Sequence, residues 1–242
     1  MKKHIPNLLT LGNLFCGTIA TILAVNNNFV SAGLFVVLGI FFDFFDGFAA
    51  RLLNVSGELG KQLDSLADMV TSGVVPGIIM FKLIGDKVIG SDTFIDEFNL
   101  PTIIPFVGLI LTLGACYRLA KFNIDTRQSE SFIGLPTPAM SLFVISLPLI
   151  LEYSDLEFVN DLIRNNYFLI TITLLLTYLM NAELPLFSLK FKNYAIKNNI
   201  VKYLFLLISI IMIISLQYLS IPLIITIYVL LSLISNSKKA SI

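Results

Sequence analysis

Apolar residues gather into long runs separated by short polar breaks. Runs able to cross a bilayer fall at about 8–25, 29–53, 62–85, 102–122, 137–152, 167–181, 200–217 and 219–235, against the roughly 20 residues that a spanning helix needs. No strand-length alternation of apolar and polar positions recurs, which removes a membrane barrel from consideration. Helices are therefore the predicted spanning element, since in lipid each backbone polar group must be satisfied within its own segment. The expectation is an all-α integral membrane protein of about eight transmembrane helices with both termini on one side.

Composition agrees with that expectation. Hydrophobic residues make up 56% of the chain and charged residues 13%, where soluble domains average about 45–50% and about 25%. The net charge of zero hides a segregation along the sequence. Breaks expected inside hold Lys2, Lys3, Arg51, Lys61, Arg118, Lys121, Arg127, Lys190, Lys192, Lys197, Lys202, Lys238 and Lys239. Those expected outside hold only Lys82, Lys87 and Arg164 among cations, with Asp86, Asp92, Asp96, Glu97, Glu152, Asp155, Glu157 and Asp161. By the positive-inside rule both termini are cytoplasmic, as is the break after Arg51. Lys2 and Lys3 before an apolar run resemble a signal peptide superficially, but no small-residue cleavage site closes the run, so a retained first helix is expected.

No basic patch suited to nucleic acid is present, and no internal repeat or linker divides the chain. One polytopic domain over residues 1–242 is expected. Cys16 and Cys116 lie in apolar runs at no metal-binding spacing and read as small buried hydrophobes.

Against this background four carboxylates stand out, because Asp43, Asp46, Asp64 and Asp68 sit inside the second and third apolar runs. Intramembrane acids are costly and mark functional sites by default. Asp43 and Asp46 are three apart, with Ala50 four further on, so they share a helical face. Gly60, Asp64, Asp68 and Thr71 form a stripe on the next helix by the same arithmetic. A hairpin through Leu52–Leu59 sets the two acidic faces opposite each other. Hard divalent cations would neutralise such a cluster, and facing helices can hold two of them. Gly47 and Gly60 leave room for a bulky diphosphate to approach the backbone, and Arg51 supplies a fork suited to phosphate.

Other polar positions leave two readings open. Asn7, Thr10 and Asn13 recur every three residues in the first run, either as a polar edge to the site or as interhelical hydrogen-bonding groups. Thr71-Ser72-Gly73 with Pro76 reads as a close-packing stretch with a kink. Arg118 and Lys121 share a face at the end of the fourth run. They either bind an anionic substrate group or anchor the helix at the headgroups. The Gly134-Leu-Pro136-Thr-Pro138 turn that follows favours a shaped loop over a site, because paired prolines fix the backbone. The last three runs carry no embedded charge, and the basic stretch from Asn181 to Lys202 is expected to face anionic lipid.

The stretch from Asp43 to Asp68 reads D-x-x-D-G-x-x-A-R-x8-G-x3-D-x3-D. It resembles the signature of the CDP-alcohol phosphatidyltransferases at every fixed position. Ile5-Pro-Asn-Leu-Leu-Thr10, Asp64-Ser-Leu-Ala-Asp68, Arg118-Leu-Ala-Lys121-Phe-Asn123 and Phe132-Ile-Gly-Leu-Pro-Thr-Pro-Ala139 are similar to one branch, the membrane-embedded phosphatidylserine synthases. The likeness covers about residues 5–140, which makes these the expected catalytic helices, with additional spans over about 141–236. Lys121 and Ser72 depart from the branch, which commonly has Arg at the first position and an aromatic at the second.

The resemblance implies the fold of that family and transfer of a phosphatidyl group from CDP-diacylglycerol to L-serine, releasing CMP. It implies two divalent ions, magnesium or manganese, on Asp43, Asp46, Asp64 and Asp68, with Asp68 also the base. It further implies a CDP-diacylglycerol site from Thr10, Gly47, Ala50, Arg51, Gly60 and Asp64, and a serine site from Arg118, Lys121, Asn123 and Pro136. A homodimer in the inner (cytoplasmic) membrane, its site facing the cytoplasm, follows from the same likeness. Glycerol 3-phosphate or an inositol compound are alternative acceptors, and a divalent-cation transporter is the alternative from another class.

Overall fold

The first helix, α1 (His4–Val25), takes Pro6 in its opening turn, where a missing N–H breaks no helical bond. Asn27 then turns the chain with a positive φ of 59°. Asn28 caps α2 (Phe29–Leu52) by accepting the Ser31 N–H at 3.2 Å, the usual service of a side-chain oxygen to an orphan donor. Along the α1–α2 seam the fully buried positions are small: Ala20, Ala24, Ala32 and Val36. Small side chains let two helices approach closely where no hydrophobic effect drives them together. The structure is a computed structural model describing residues 4–55, 57–89, 100–125, 132–186 and 196–240.

Helix α3 (Glu58–Asp68) runs into a π-helical turn over Met69–Val74 and then into α4 (Val75–Ile89). Pro76 has no N–H to give the preceding turn, and the hydroxyl of Thr112 reaches the Gly73 carbonyl at 3.0 Å from the neighbouring helix. The irregularity expected around Pro76 thus falls just before it. A short helix α5 (Leu100–Ile103) and a 3-10 turn (Ile104–Leu109) lead into α6 (Ile110–Ile124). Gly108 permits this crossing, because a Cβ there would lie 2.8 Å from the backbone of Met80.

Helix α7 (Thr137–Tyr153) is the most enclosed element, with Met140, Val144, Ile145, Leu147 and Ile150 in the core. It is followed by α8 (Glu157–Ile163) and α9 (Asn166–Asn181), bent by 69° to each other. Helices α10 (Ile196–Leu216) and α11 (Ser220–Ala240) are joined by a 3-10 turn over Gln217–Leu219. Ile210, Ile211, Ile213 and Ile214 of α10 point outward, as side chains facing lipid would.

Among the described residues, five helical stretches are long and apolar enough to cross a membrane, or six if α8 and α9 count as one span. The eight apolar runs all fall on helix, but α7 has only 17 residues and Lys202–Ile234 forms one apolar stretch of 33. Cys16 is buried as expected, but Cys116 of α6 is exposed rather than buried, and a short strand pair interrupts the helical pattern. Phe132–Ile133 (β1) pairs antiparallel with Pro185–Leu186 (β2), so the start of the stretch expected to face lipid is instead docked on the protein. Of the charges used for orientation, Lys2, Lys3, Asp92, Asp96, Glu97, Arg127, Lys190 and Lys192 lie outside the described residues.

Candidate metal and substrate site

Carboxylate oxygens of Asp43, Asp46 and Asp64 all lie within 4.8 Å of one another. Two come from α2 and one from α3, helices that pack on α1 rather than closely on each other. The gap between them is what lets the acidic faces converge without their backbones touching. Asp46 is buried, and its Oδ2 lies 2.5 Å from the Thr10 hydroxyl. That hydroxyl is also 3.1 Å from the Pro6 carbonyl. It has a single proton, and the shorter, charge-assisted bond to the carboxylate takes it.

Oδ1 of Asp64 is buried with no hydrogen-bond partner. A solvent-excluded carboxylate oxygen beside two further carboxylates is unfavourable until a cation arrives. The donor set is all oxygen, which suits a hard divalent ion such as magnesium or manganese. The residues present therefore fit a metal.

Asp68 stands one turn further along α3 and is not one of those three. Its Oδ1 accepts from Nδ2 of Asn13 at 3.0 Å. Arg118, buried on α6, interacts electrostatically with Asp68. The Arg118 guanidinium lies 5.8 Å from the Phe122 ring centroid, and its Nε has no partner. A buried, fixed-charge donor with spare hydrogen-bonding capacity suits an incoming carboxylate.

The remaining expected residues divide. Arg51 folds back over Gly47, so that a Cβ at position 47 would sit 3.5 Å from Nη1. The two residues thus make one flat, cationic surface beside Asp46. Gly60 opens toward Asn7, whose Oδ1 would lie 3.6 Å from a Cβ there. Ala50 is half-buried one turn past Asp46 and offers no polar group. Lys121 is paired with Glu183 at 3.4 Å. Asn123 donates to Oγ of Ser65 at 2.8 Å while its carbonyl accepts from Nζ of Lys61, so it ties α6 to α3.

Pro136 belongs to a turn pinned to the end of α9. The Gly134 N–H reaches the Leu184 carbonyl at 2.9 Å and the Leu135 N–H reaches Leu179 at 2.8 Å. Gly134 has a φ of +76°, open to glycine and strained for other residues. Ser65 stands inside the Asp64–Asp68 motif with no role expected of it, and Glu183 carries no local signature. For Asn7 and Asn13 the three-residue recurrence was the available signal.

The sequence model of the CDP-alcohol phosphatidyltransferase family matches residues 3–182. The chain is similar to the CDP-diacylglycerol–serine O-phosphatidyltransferase of Bacillus subtilis (strain 168), 38% identical over 149 residues, covering 60% of this chain and 75% of the relative. It is 35% identical over 142 residues to the protein of the same name from Helicobacter pylori (strain J99), covering 58% of this chain and 55% of that one. It is 30% identical over 156 residues to the archaetidylserine synthase of Methanothermobacter thermautotrophicus, covering 63% and 61%. The chain thus spans between 55% and 75% of the length of these relatives. A family match running through both acidic helices to the end of α9, over a cluster built from the aspartates of that signature, means that the chain belongs to the CDP-alcohol phosphatidyltransferase family.

Proposed function

We propose that the protein transfers the phosphatidyl group of CDP-diacylglycerol to the hydroxyl of L-serine, giving phosphatidylserine and CMP. The convergence of Asp43, Asp46 and Asp64 within 4.8 Å carries this reading, and the names of the similar enzymes support serine as acceptor.

Asp43, Asp46 and Asp64, with Asp68 as a fourth donor, would hold two divalent cations, magnesium or manganese, whose charge neutralises the diphosphate and the departing CMP. Arg51 lies over Gly47 where the diphosphate binds, and Gly60 with Asn7 leaves the opposite helix open to the nucleotide. Ala50 completes that wall without a polar group, and Thr10 keeps Asp46 aimed into the site. The acyl chains stay in lipid. Arg118 receives the serine carboxylate, with Lys121, Asn123 and the Pro136 turn shaping that end. Asp68 accepts the proton of the serine hydroxyl. The serine oxygen bonds to the phosphorus carrying diacylglycerol, and the bond from that phosphorus to the CMP oxygen breaks. Such transfer depends on positioning and charge stabilisation more than on covalent catalysis.

The same reading gives a multi-pass protein of the inner membrane with eight spans, both termini cytoplasmic and the site facing the cytoplasm. Charge segregation between alternate breaks supports it. Outward-facing apolar side chains along α10 and α11 are compatible with lipid or with a second copy in a homodimer.

CMP release by the purified protein from CDP-diacylglycerol, with magnesium or manganese and a panel of acceptors, tests the proposal. Serine-dependent release that is lost in chelator and in Asp68→Asn is expected. Release only with glycerol 3-phosphate or an inositol compound would replace the acceptor. Metal uptake into vesicles without CMP release would replace the enzyme with a transporter.

A further inference from the structure

Asn13 and Thr71 are both fully buried, and they form a closed relay with Asp68. Nδ2 of Asn13 donates to Oδ1 of Asp68 at 3.0 Å. The Thr71 hydroxyl lies 2.7 Å from Oδ1 of Asn13 and 3.2 Å from its carbonyl oxygen. A hydroxyl donating to the amide oxygen leaves the amide N–H group turned toward the carboxylate. The reverse orientation would aim an oxygen at an oxygen.

Backbone features hold this relay in place. Thr71 lies in the π-helical turn that begins right after Asp68, and such turns recur at functional sites. Gly39 of α2 admits both partners, since a Cβ there would lie 2.8 Å from Cγ2 of Thr71 and 2.9 Å from Oδ1 of Asn13. Gly17 of α1 gives way to Thr71 in the same manner. Three chain segments thus close on one side chain, and the relay engages only one oxygen of Asp68.

We propose that Asn13 and Thr71 are positioning residues for Asp68. Thr71 sets the orientation of the Asn13 amide, and Asn13 fixes the carboxylate so that its second oxygen meets the acceptor hydroxyl. This rests on the reading of Asp68 as the base. Both side chains are fully buried, so their loss is expected to change turnover rather than binding.

The test uses the full chain in lipid nanodiscs. Thr71→Val keeps the side chain's shape and removes its hydroxyl. It is expected to lower kcat by about tenfold to hundredfold, in line with small misplacements of reacting groups, with KM for serine and CDP-diacylglycerol within about twofold. Thr71→Ser restores the hydroxyl and is expected to recover most of the turnover. Asn13→Asp keeps the size and presents an oxygen to Asp68, and a similar loss of kcat at unchanged KM is expected. Wild-type turnover in Thr71→Val or in Asn13→Asp overturns the proposal, as does a Thr71→Ser variant as slow as Thr71→Val. Asp68→Asn is assayed beside them. If it turns over normally, the base assignment itself has failed, whereas an inactive Asp68→Asn with a fully active Thr71→Val sinks only the positioning role.

Discussion

Lys121 of α6 and Glu183, just beyond α9, form an ion pair at 3.4 Å across 62 residues of sequence. In the proposed serine site, Lys121 would share its charge with the substrate by loosening that pair. Partly exposed pairs contribute about 0.2–1 kcal/mol, so loosening costs little.

Glu183→Gln is therefore expected to leave stability nearly unchanged and to lower the serine KM by a few fold, because Lys121 is released to the substrate. A serine titration at saturating CDP-diacylglycerol measures this. A raised KM would instead mean that Glu183 itself takes part in holding serine.

Thr10→Val removes the 2.5 Å hydrogen bond to Asp46. Groups that orient a metal-binding side chain typically change affinity by about 10–100-fold when removed. The manganese concentration giving half-maximal CMP release is expected to rise within that range, and direct manganese titration of the protein should follow it. An unchanged metal requirement would assign Thr10 to packing alone.

Asp64→Asn separates stability from function. Its buried Oδ1 has no partner, and two further carboxylates lie within 4.8 Å. In chelator, neutralising one of the three relieves repulsion, so the melting temperature is expected to rise by about 2–4 °C per kcal/mol gained. Metal-dependent stabilisation and CMP release are expected to disappear together. Thermal melts with and without manganese show both halves. A lower melting temperature in chelator would mean that Asp64 is held by interactions other than the cluster.

Gly134→Ala puts a methyl on a residue with φ +76°, against the carbonyls of Met180 and Ala182. A loss of about 1–2 kcal/mol for the backbone conformation, and more for the contact, is expected as a lower melting temperature. Retained stability would show that the turn can relax away from α9.

The acidic pairs on α2 and α3 were legible because helical periodicity brings residues three and four apart onto one face, and because lipid makes each acid conspicuous. The resemblance drew on the same residues. Asn13 and Thr71 were visible only as a recurrence and as a member of a stripe, since the bond between them spans 58 positions. Glu183 was less visible still, having the look of any loop acid. The pairing of Phe132–Ile133 with Pro185–Leu186 is too short to leave an alternating pattern. Span count was obscured for a different reason. Helix α7 is enclosed by its neighbours, so its apolar length answers to the protein core as well as to the bilayer.

The family's sequence model stops matching at residue 182, whereas the clasp on the Gly134 turn runs through the Leu184 carbonyl and the strand at 185–186. A truncation placed at the end of the matched region would leave every aspartate in the chain. It would also cut away Glu183 and the strand that anchors the turn next to the acceptor end. Such a fragment is expected to keep its grip on metal and nucleotide while losing its hold on serine, because the proposed acceptor end leans on residues past the stretch that the family model matches.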